Sequence, residues 1–204
     1  MAELKDTYKT IDTPAKGELF KDRGSKFYGY TYPISSEDEV KPIIEQLKKE
    51  HHTARHWCYA WQFGTEQIRF RANDDGEPSN SAGPPIYGQI QAFDVTNILV
   101  VVVRYFGGTK LGVGGLMNAN KTGSKLALEA SEIIEKTIDR VFQITFQYKD
   151  MNKVMRIVKE KQLNITHQKL ELDCQYTIPV RKKNADQIFE IFTNMFGITI
   201  KELD

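Results

Sequence analysis

Arg104 and Lys110 stand on either side of a glycine-rich turn, and that turn is where this sequence is best equipped to do chemistry. The apolar run Ile98-Leu99-Val100-Val101-Val102-Val103 delivers the chain into Arg104-Tyr105-Phe106-Gly107-Gly108-Thr109-Lys110-Leu111-Gly112-Val113-Gly114-Gly115-Leu116. Glycines placed between a doubly buried strand and a helix start leave backbone N–H groups free to face outward beside two cations. The spacing predicts an anion-friendly surface, with Arg104 and Lys110 as charged partners and Thr109 as a hydroxyl donor. A purely architectural reading is also open, in which the turn is tight and Gly114 and Gly115 permit close packing. The Walker pattern is absent, because Thr109-Lys110 runs in the opposite order.

A second group of chemical residues, Asp74, Asp75 and Glu77, lies in Asn73-Asp74-Asp75-Gly76-Glu77-Pro78-Ser79-Asn80-Ser81-Ala82-Gly83-Pro84, which reads as a long exposed loop. Asp74 or Asp75 would cap the local backbone there. Alternatively, the three carboxylates edge a site, holding a divalent cation or pairing with Arg104 and Lys110 across a cleft. If loop and turn meet, Arg104→Ala is expected to weaken partner binding with little change in melting temperature.

His56 and Cys58 share one side of a strand at a separation of roughly 6–7 Å, too long for a nucleophile and its base. Small residues under a helix account for them better. His51 and His52 are expected to end a helix, His167 stands alone, and Arg181-Lys182-Lys183 reads as a solvated basic loop. No catalytic residue, metal site or cofactor is expected from these groups.

The elements that must position these residues are legible in part. Strands are expected over 26–32 and 55–63, the latter with Trp57, Tyr59, Trp61 and Phe63 on a bulky face and His56, Cys58, Ala60 and Gln62 on a small one. Ile68-Arg69-Phe70 is the expected hairpin partner. Ser35 or Ser36 caps a helix carrying Val40, Ile43, Ile44 and Leu47. Pro84 or Pro85 opens a helix over 86–93. A helix is expected from about Gly112 to Ile134, its stripe Ala119-Gly123-Ala127 lying close to the sheet. From about Thr137 the order strand, helix, strand, strand, helix, strand is ferredoxin-like. Phe142, Ile144, Phe146 and Tyr148, with Leu172, Cys174, Tyr176 and Ile178, should face the helices. The open positions then supply no aromatics, so RNA readout by base stacking on this sheet is not expected.

The chain has 204 residues, of which 28 are basic and 27 acidic, a net charge of +1 that gives no global attraction for nucleic acid or anionic membranes. Cys58 and Cys174 are the two cysteines, which fits a reducing compartment rather than a disulfide framework. The start, Met1-Ala2-Glu3-Leu4-Lys5-Asp6, lacks a signal-peptide core, and no segment approaches the roughly 18 apolar residues of a membrane span. The sequence reads as a cytoplasmic α+β protein with domains at 1–136 and 137–204.

Three segments carry a family resemblance: Asp74-Asp75-Gly76-Glu77-Pro78, then Ser81-Ala82-Gly83-Pro84-Pro85-Ile86, then Val103 to Gly112 with Gly114-Gly115-Leu116. Together they resemble the signature of the YigZ/IMPACT family, over roughly residues 18 to 134. The tail is similar to the ferredoxin-like C-terminal domain of bacterial members. The resemblance implies a two-layer α/β N-terminal domain like one domain of a small-subunit ribosomal protein, in a superfamily that includes small-molecule kinases. It also implies a link to translation, since eukaryotic members are translation regulators. The expected function is therefore binding, to a protein or ribonucleoprotein of the translation apparatus, with a phosphate-bearing ligand as an additional partner. The binding residues would be Arg104, Tyr105, Gly107, Gly108, Thr109, Lys110, Gly112, Gly114, Gly115, Asp74, Asp75 and Glu77. An enzyme acting on a phosphorylated small molecule or nucleotide is the alternative. A proline-dipeptidase label carried by some members does not suit this chain, because a two-metal peptidase needs carboxylates and a His that it does not present.

Overall fold

The computed structural model describes residues 6–203. Residues 1–5 and 204, which include most of the expected signal-free start, lie outside the described residues. The chain divides into two compact units, Tyr8–Lys136 and the remaining described residues, 6–7 and 137–203.

In the first unit the centre is β7 (Ile98–Tyr105), whose residues 98 to 104 are all buried. A strand with neighbours on both edges and cover on both faces needs β-branched residues throughout, and the valine run supplies them. Antiparallel β4 (Ser25–Pro33) and β5 (His56–Phe63) flank it. The edges are β6 (Arg69–Asn73) beside β5, and the short β2 (Ala15–Lys16) and β3 (Phe20–Asp22) beside β4. β1 (Thr7–Ile11) pairs instead with β8 (Ile133–Thr137).

Helices α2 (Gly83–Ala92) and α3 (Gly112–Glu129) cover the face formed by Phe27, Cys58, Ala60, Val100 and Val102. Here the small side of β5 meets Ile86 and Ile90, so Cys58 and Ala60 are small because a helix lies on them. Beyond the two layers that the resemblance implies, α1 (Val40–Glu50) packs on the opposite face against Tyr30, Trp61, Leu99, Val101 and Val103. A 3₁₀ turn at Glu37–Glu39 precedes α1, and Glu39 accepts hydrogen bonds from the Ser35 and Ser36 backbone N–H groups, completing a capping box. The class is α+β.

Helix α3 sits unusually close to β4. A Cβ built on Gly29 would come within 2.1 Å of the Gly123 carbonyl oxygen, so only glycine fits beneath the small-residue stripe. The helix ends earlier than expected. Ile133 and Ile134 belong to β8, because long-range pairing with β1 overrides the helical periodicity that continues into them.

The second unit runs β9 (Asp139–Gln147), α4 (Met151–Glu160), β10 (His167–Lys169), β11 (Asp173–Arg181), α5 (Lys182–Thr193) and β12 (Ile198–Leu203), in sheet order β10-β11-β9-β12. This is the ferredoxin-like arrangement. Val154, Val158, Ala185, Ile188 and Phe192 from the two helices share one core with Phe142, Ile144, Phe146, Cys174, Tyr176 and Ile178. Two expected members of that core lie outside it. Tyr148 is 69% exposed in a 3₁₀ turn after β9, and Leu172 is 93% exposed because β11 begins one residue later. The basic run 181–183 is likewise no loop, since it ends β11 and opens α5.

Candidate functional site

The acidic loop and the glycine turn meet. Glu77, which resembles an ordinary turn carboxylate in sequence, is buried, and its Oε1 accepts a 2.6 Å hydrogen bond from Arg104 Nη1. The pair is closed off from water, with the Arg104 and Glu77 side chains 7% and 2% exposed. The guanidinium carbon also lies 5.6 Å from the Phe27 ring centroid and 5.7 Å from that of Phe106. Arg104 is therefore a core residue with its head at the floor of a groove. The expectation that Arg104→Ala leaves stability unchanged is corrected on this ground, because the substitution would strand a buried carboxylate.

Asp74 and Asp75 are spent on the backbone. The Asp74 carboxylate accepts from the N–H groups of Asn80, Ala82 and Gly83 at 2.8–2.9 Å, which fixes the loop into the start of α2. Asp75 Oδ2 accepts from Trp57 N–H at 2.7 Å. The segment is thus not a uniformly exposed loop, since Glu77, Ser81, Ala82 and Gly83 are all buried. Among the described residues, no cluster of three or more His, Cys, Asp or Glu is placed to hold a metal ion.

The glycine turn is partly tied down. Gly107 N–H donates to Ser25 Oγ, and a Cβ on Gly107 would overlap the peptide joining Gly24 and Ser25. The N–H groups of Gly108, Thr109 and Lys110 find no acceptor among the described residues. Gly108 and Gly112 have positive φ, which shapes the approach to α3. Tyr105 points elsewhere, its hydroxyl hydrogen-bonded to His51 Nδ1 on the α1 face. His51 also meets the Tyr30 hydroxyl through Nε2, and burial, followed by Lys16, lowers its pKa. The cation expected at that helix end is thus disfavoured.

What results is a groove of about 540 Å³ lined by Arg55, His56, Gly76, Glu77, Pro78, Arg104, Phe106, Lys110, Leu111, Gly112, Val113 and Leu116. Of the expected binding residues, Glu77, Arg104, Lys110 and Gly112 line it. Asp74, Asp75, Tyr105, Gly107, Gly108, Thr109, Gly114 and Gly115 do not. The sequence reading missed the apolar lining and the cation Arg55, whose guanidinium carbon lies 5.6 Å from the Phe106 ring centroid. Val113 is 52% exposed beside the groove, a large apolar residue on a helix start, and this was a readable signal.

His56 lies here too. Its Nδ1 donates to the Asp75 carbonyl at 2.9 Å, which fixes the tautomer and leaves Nε2 3.9 Å from Glu77 Oε1. Cys58 takes no part in this chemistry. It is fully buried, its thiol donates to the Asp74 carbonyl, and burial with the nearby carboxylates pushes its pKa far up.

Residues 23–128 match the family model described as Impact N-terminal domain. The chain is similar to the IMPACT family member YvyE of Bacillus subtilis, 28% identical over 189 residues, 93% of this chain and 87% of the relative. It is 40% identical over 104 residues to the IMPACT family member YigZ of Escherichia coli, covering 49% and 50% of the two chains. A solved structure titled as a crystal structure of a hypothetical protein superposes with a TM-score of 0.71 at 23% identity, over 98% of this chain and 99% of that one, which shows a shared fold.

Proposed function

The chain belongs to the IMPACT family, and from that premise we propose that it is a binding protein of the translation apparatus whose recognition surface is the groove between the 74–83 segment and the 104–115 turn. The translation link is taken from the family resemblance. The observation that carries the groove is the buried Glu77–Arg104 bridge, which holds loop and turn together with one of the three groove cations neutralised inside. That leaves Arg55 and Lys110 beside the apolar surface of Phe106, Leu111, Val113 and Leu116. Such a surface suits a protein segment bearing an apolar side chain next to an acidic group better than bare RNA, whose affinity rests on many phosphate contacts. A phosphate on the partner would meet Lys110 and the open amides of residues 108 to 110.

Ribosome co-sedimentation at low salt tests the reading. Lys110→Glu and Val113→Asp alter exposed side chains and leave the Arg104–Glu77 pair intact, so both should shift the protein into the soluble fraction while the thermal transition stays unchanged. A wild-type protein that remains soluble, or variants that sediment like wild type, would remove its support.

His56 favours a second reading, an enzyme acting on a phosphorylated small molecule. Its imidazole, with Nδ1 held by the Asp75 carbonyl, turns Nε2 to the groove beside Glu77, within reach of a bound substrate. Thermal-shift screening with nucleotides and sugar phosphates separates the two, since magnesium-dependent stabilisation that His56→Gln abolishes would favour the enzyme.

A further inference from the structure

From the second unit we infer that its helix-free sheet face, with the cleft at one end, takes unpaired bases of single-stranded nucleic acid. Both helices pack on one face of this sheet. The register places Gln143, Thr145, Thr177, Gln175 and Thr199 together on the other, a surface of uncharged donors and acceptors with Lys201 beside Gln143. Hydroxyl and amide groups of this kind pair with base edges in either polarity.

The end of this face supplies the rings that the sequence reading found missing. In the antiparallel register Asp173 lies opposite Gln147 and Ile198 opposite Phe146, so β9, β11 and β12 meet the loops at the same end. There Tyr148 and Phe196 leave neighbouring strands, 69% and 96% exposed. The alternation of apolar residues had assigned Tyr148 to the core. An exposed aromatic ring offers a stacking face to any base, each worth about 1–3 kcal/mol where measured by alanine substitution.

Phe196 walls a cleft of about 660 Å³ whose floor includes Thr145, Gln147 and Thr199, with Lys149 and Lys153 at its rim. The volume is within the ordinary range for small-ligand pockets, roughly 300–1,000 Å³. Asp150 is buried and its carboxylate is already matched by Lys153 at 2.8 Å, while Lys149 makes no ion pair among the described residues. Asp173 is the remaining acid on the cleft. A strand crossing here would lay a base on Phe196 and a phosphate on Lys149, since Lys153 is committed to Asp150. With one uncommitted cation the affinity is modest, and its salt slope is shallow, about −0.7 for one phosphate contact on a single strand. The inference is independent of the groove in the first unit.

The test is fluorescence anisotropy of fluorescein-labelled twelve-nucleotide oligo-U and oligo-dU with the full chain at 50 mM salt, repeated with a duplex of equal length and with a labelled oligoglutamate peptide. Expected are binding of the single strands with the shallow salt slope above and weaker binding of the duplex. Phe196→Ala should weaken the single strands roughly 5- to 150-fold. Tyr148→Ala should act in the same direction, and Lys149→Glu should lower affinity and flatten the salt slope. RNA and DNA arms that differ would locate a 2′-hydroxyl contact, and equal arms would assign the recognition to stacking. Absence of binding at tens of micromolar protein overturns the inference. So does binding that Phe196→Ala leaves unchanged, or oligoglutamate binding as well as the oligonucleotide, which would mark the surface as a mere anion site for acidic protein.

Discussion

Removing one member of the Arg104–Glu77 pair separates a structural from a ligand-binding role for the most conspicuous cation of the glycine turn. Arg104→Met removes the charge while keeping a long apolar stem, and leaves Glu77 beneath the loop with a side chain 2% exposed and no cation in hydrogen-bond contact. Breaking a buried pair from one side costs about 3–5 kcal/mol, against about 1 kcal/mol or less for an exposed pair. For a unit of this size that corresponds to a fall in Tm on the order of 10–20 °C. Glu77→Leu should cost a comparable amount, since it strands the guanidinium, whose Nε already lacks an acceptor among the described residues. The double variant Arg104→Met/Glu77→Leu should recover most of the loss, because both desolvation penalties disappear together. Urea unfolding followed by tryptophan fluorescence reads this unit selectively, as both tryptophans, Trp57 and Trp61, lie on β5. Single variants that lose less than about 1 kcal/mol, or a double variant as unstable as the sum of the singles, would refute the buried-pair reasoning.

Three further outcomes follow from the first unit. Burial, then Lys16, holds His51 below its ordinary value of 6.5, so between the lowered value and 6.5 the unfolded chain carries the extra proton and stability should fall as pH drops through that window. At the alkaline end burial, then Glu50, pushes Tyr30 and Tyr32 from 10 up to about 12, so stability present below pH 10 should be lost as pH rises from 10 towards 12. Urea midpoints across pH 5–12 check both arms, and His51→Phe should flatten the acid one. Gly29→Ala should destabilise by about 3 kcal/mol or more, measured by the same unfolding assay, because its methyl group would meet the Gly123 carbonyl and the backbones of β4 and α3 cannot separate cheaply.

Local pattern was enough for the elements whose signals are strong and whose partners are adjacent. The valine run of β7, the two-faced alternation of β5, the capped start of α1 and the ferredoxin-like order are all readable from neighbouring residues. Long-range pairing decided the rest. β1 to β3 are short and polar, and gain their definition from strands far along the chain, so nothing local marks them. Ile133 and Ile134 continue a helical period yet pair with β1. Glu77 looks like any turn carboxylate, and only the fold brings Arg104, 27 residues away, within 2.6 Å. Tyr148 and Leu172 extend an alternating pattern one residue beyond the strands that produce it, which is why their exposure was hidden.

The close approach of Gly107 to the Gly24–Ser25 peptide has a mechanical corollary for the groove. One end of the turn is pinned against the β3–β4 hairpin at Gly107, and the other enters α3 at Gly112, itself seated on β4 through Gly29 and Gly123. Only the arc 108 to 111 is left to swing, too short to act as a flap. The aperture is therefore preset by the scaffold, and an incoming partner must conform to it.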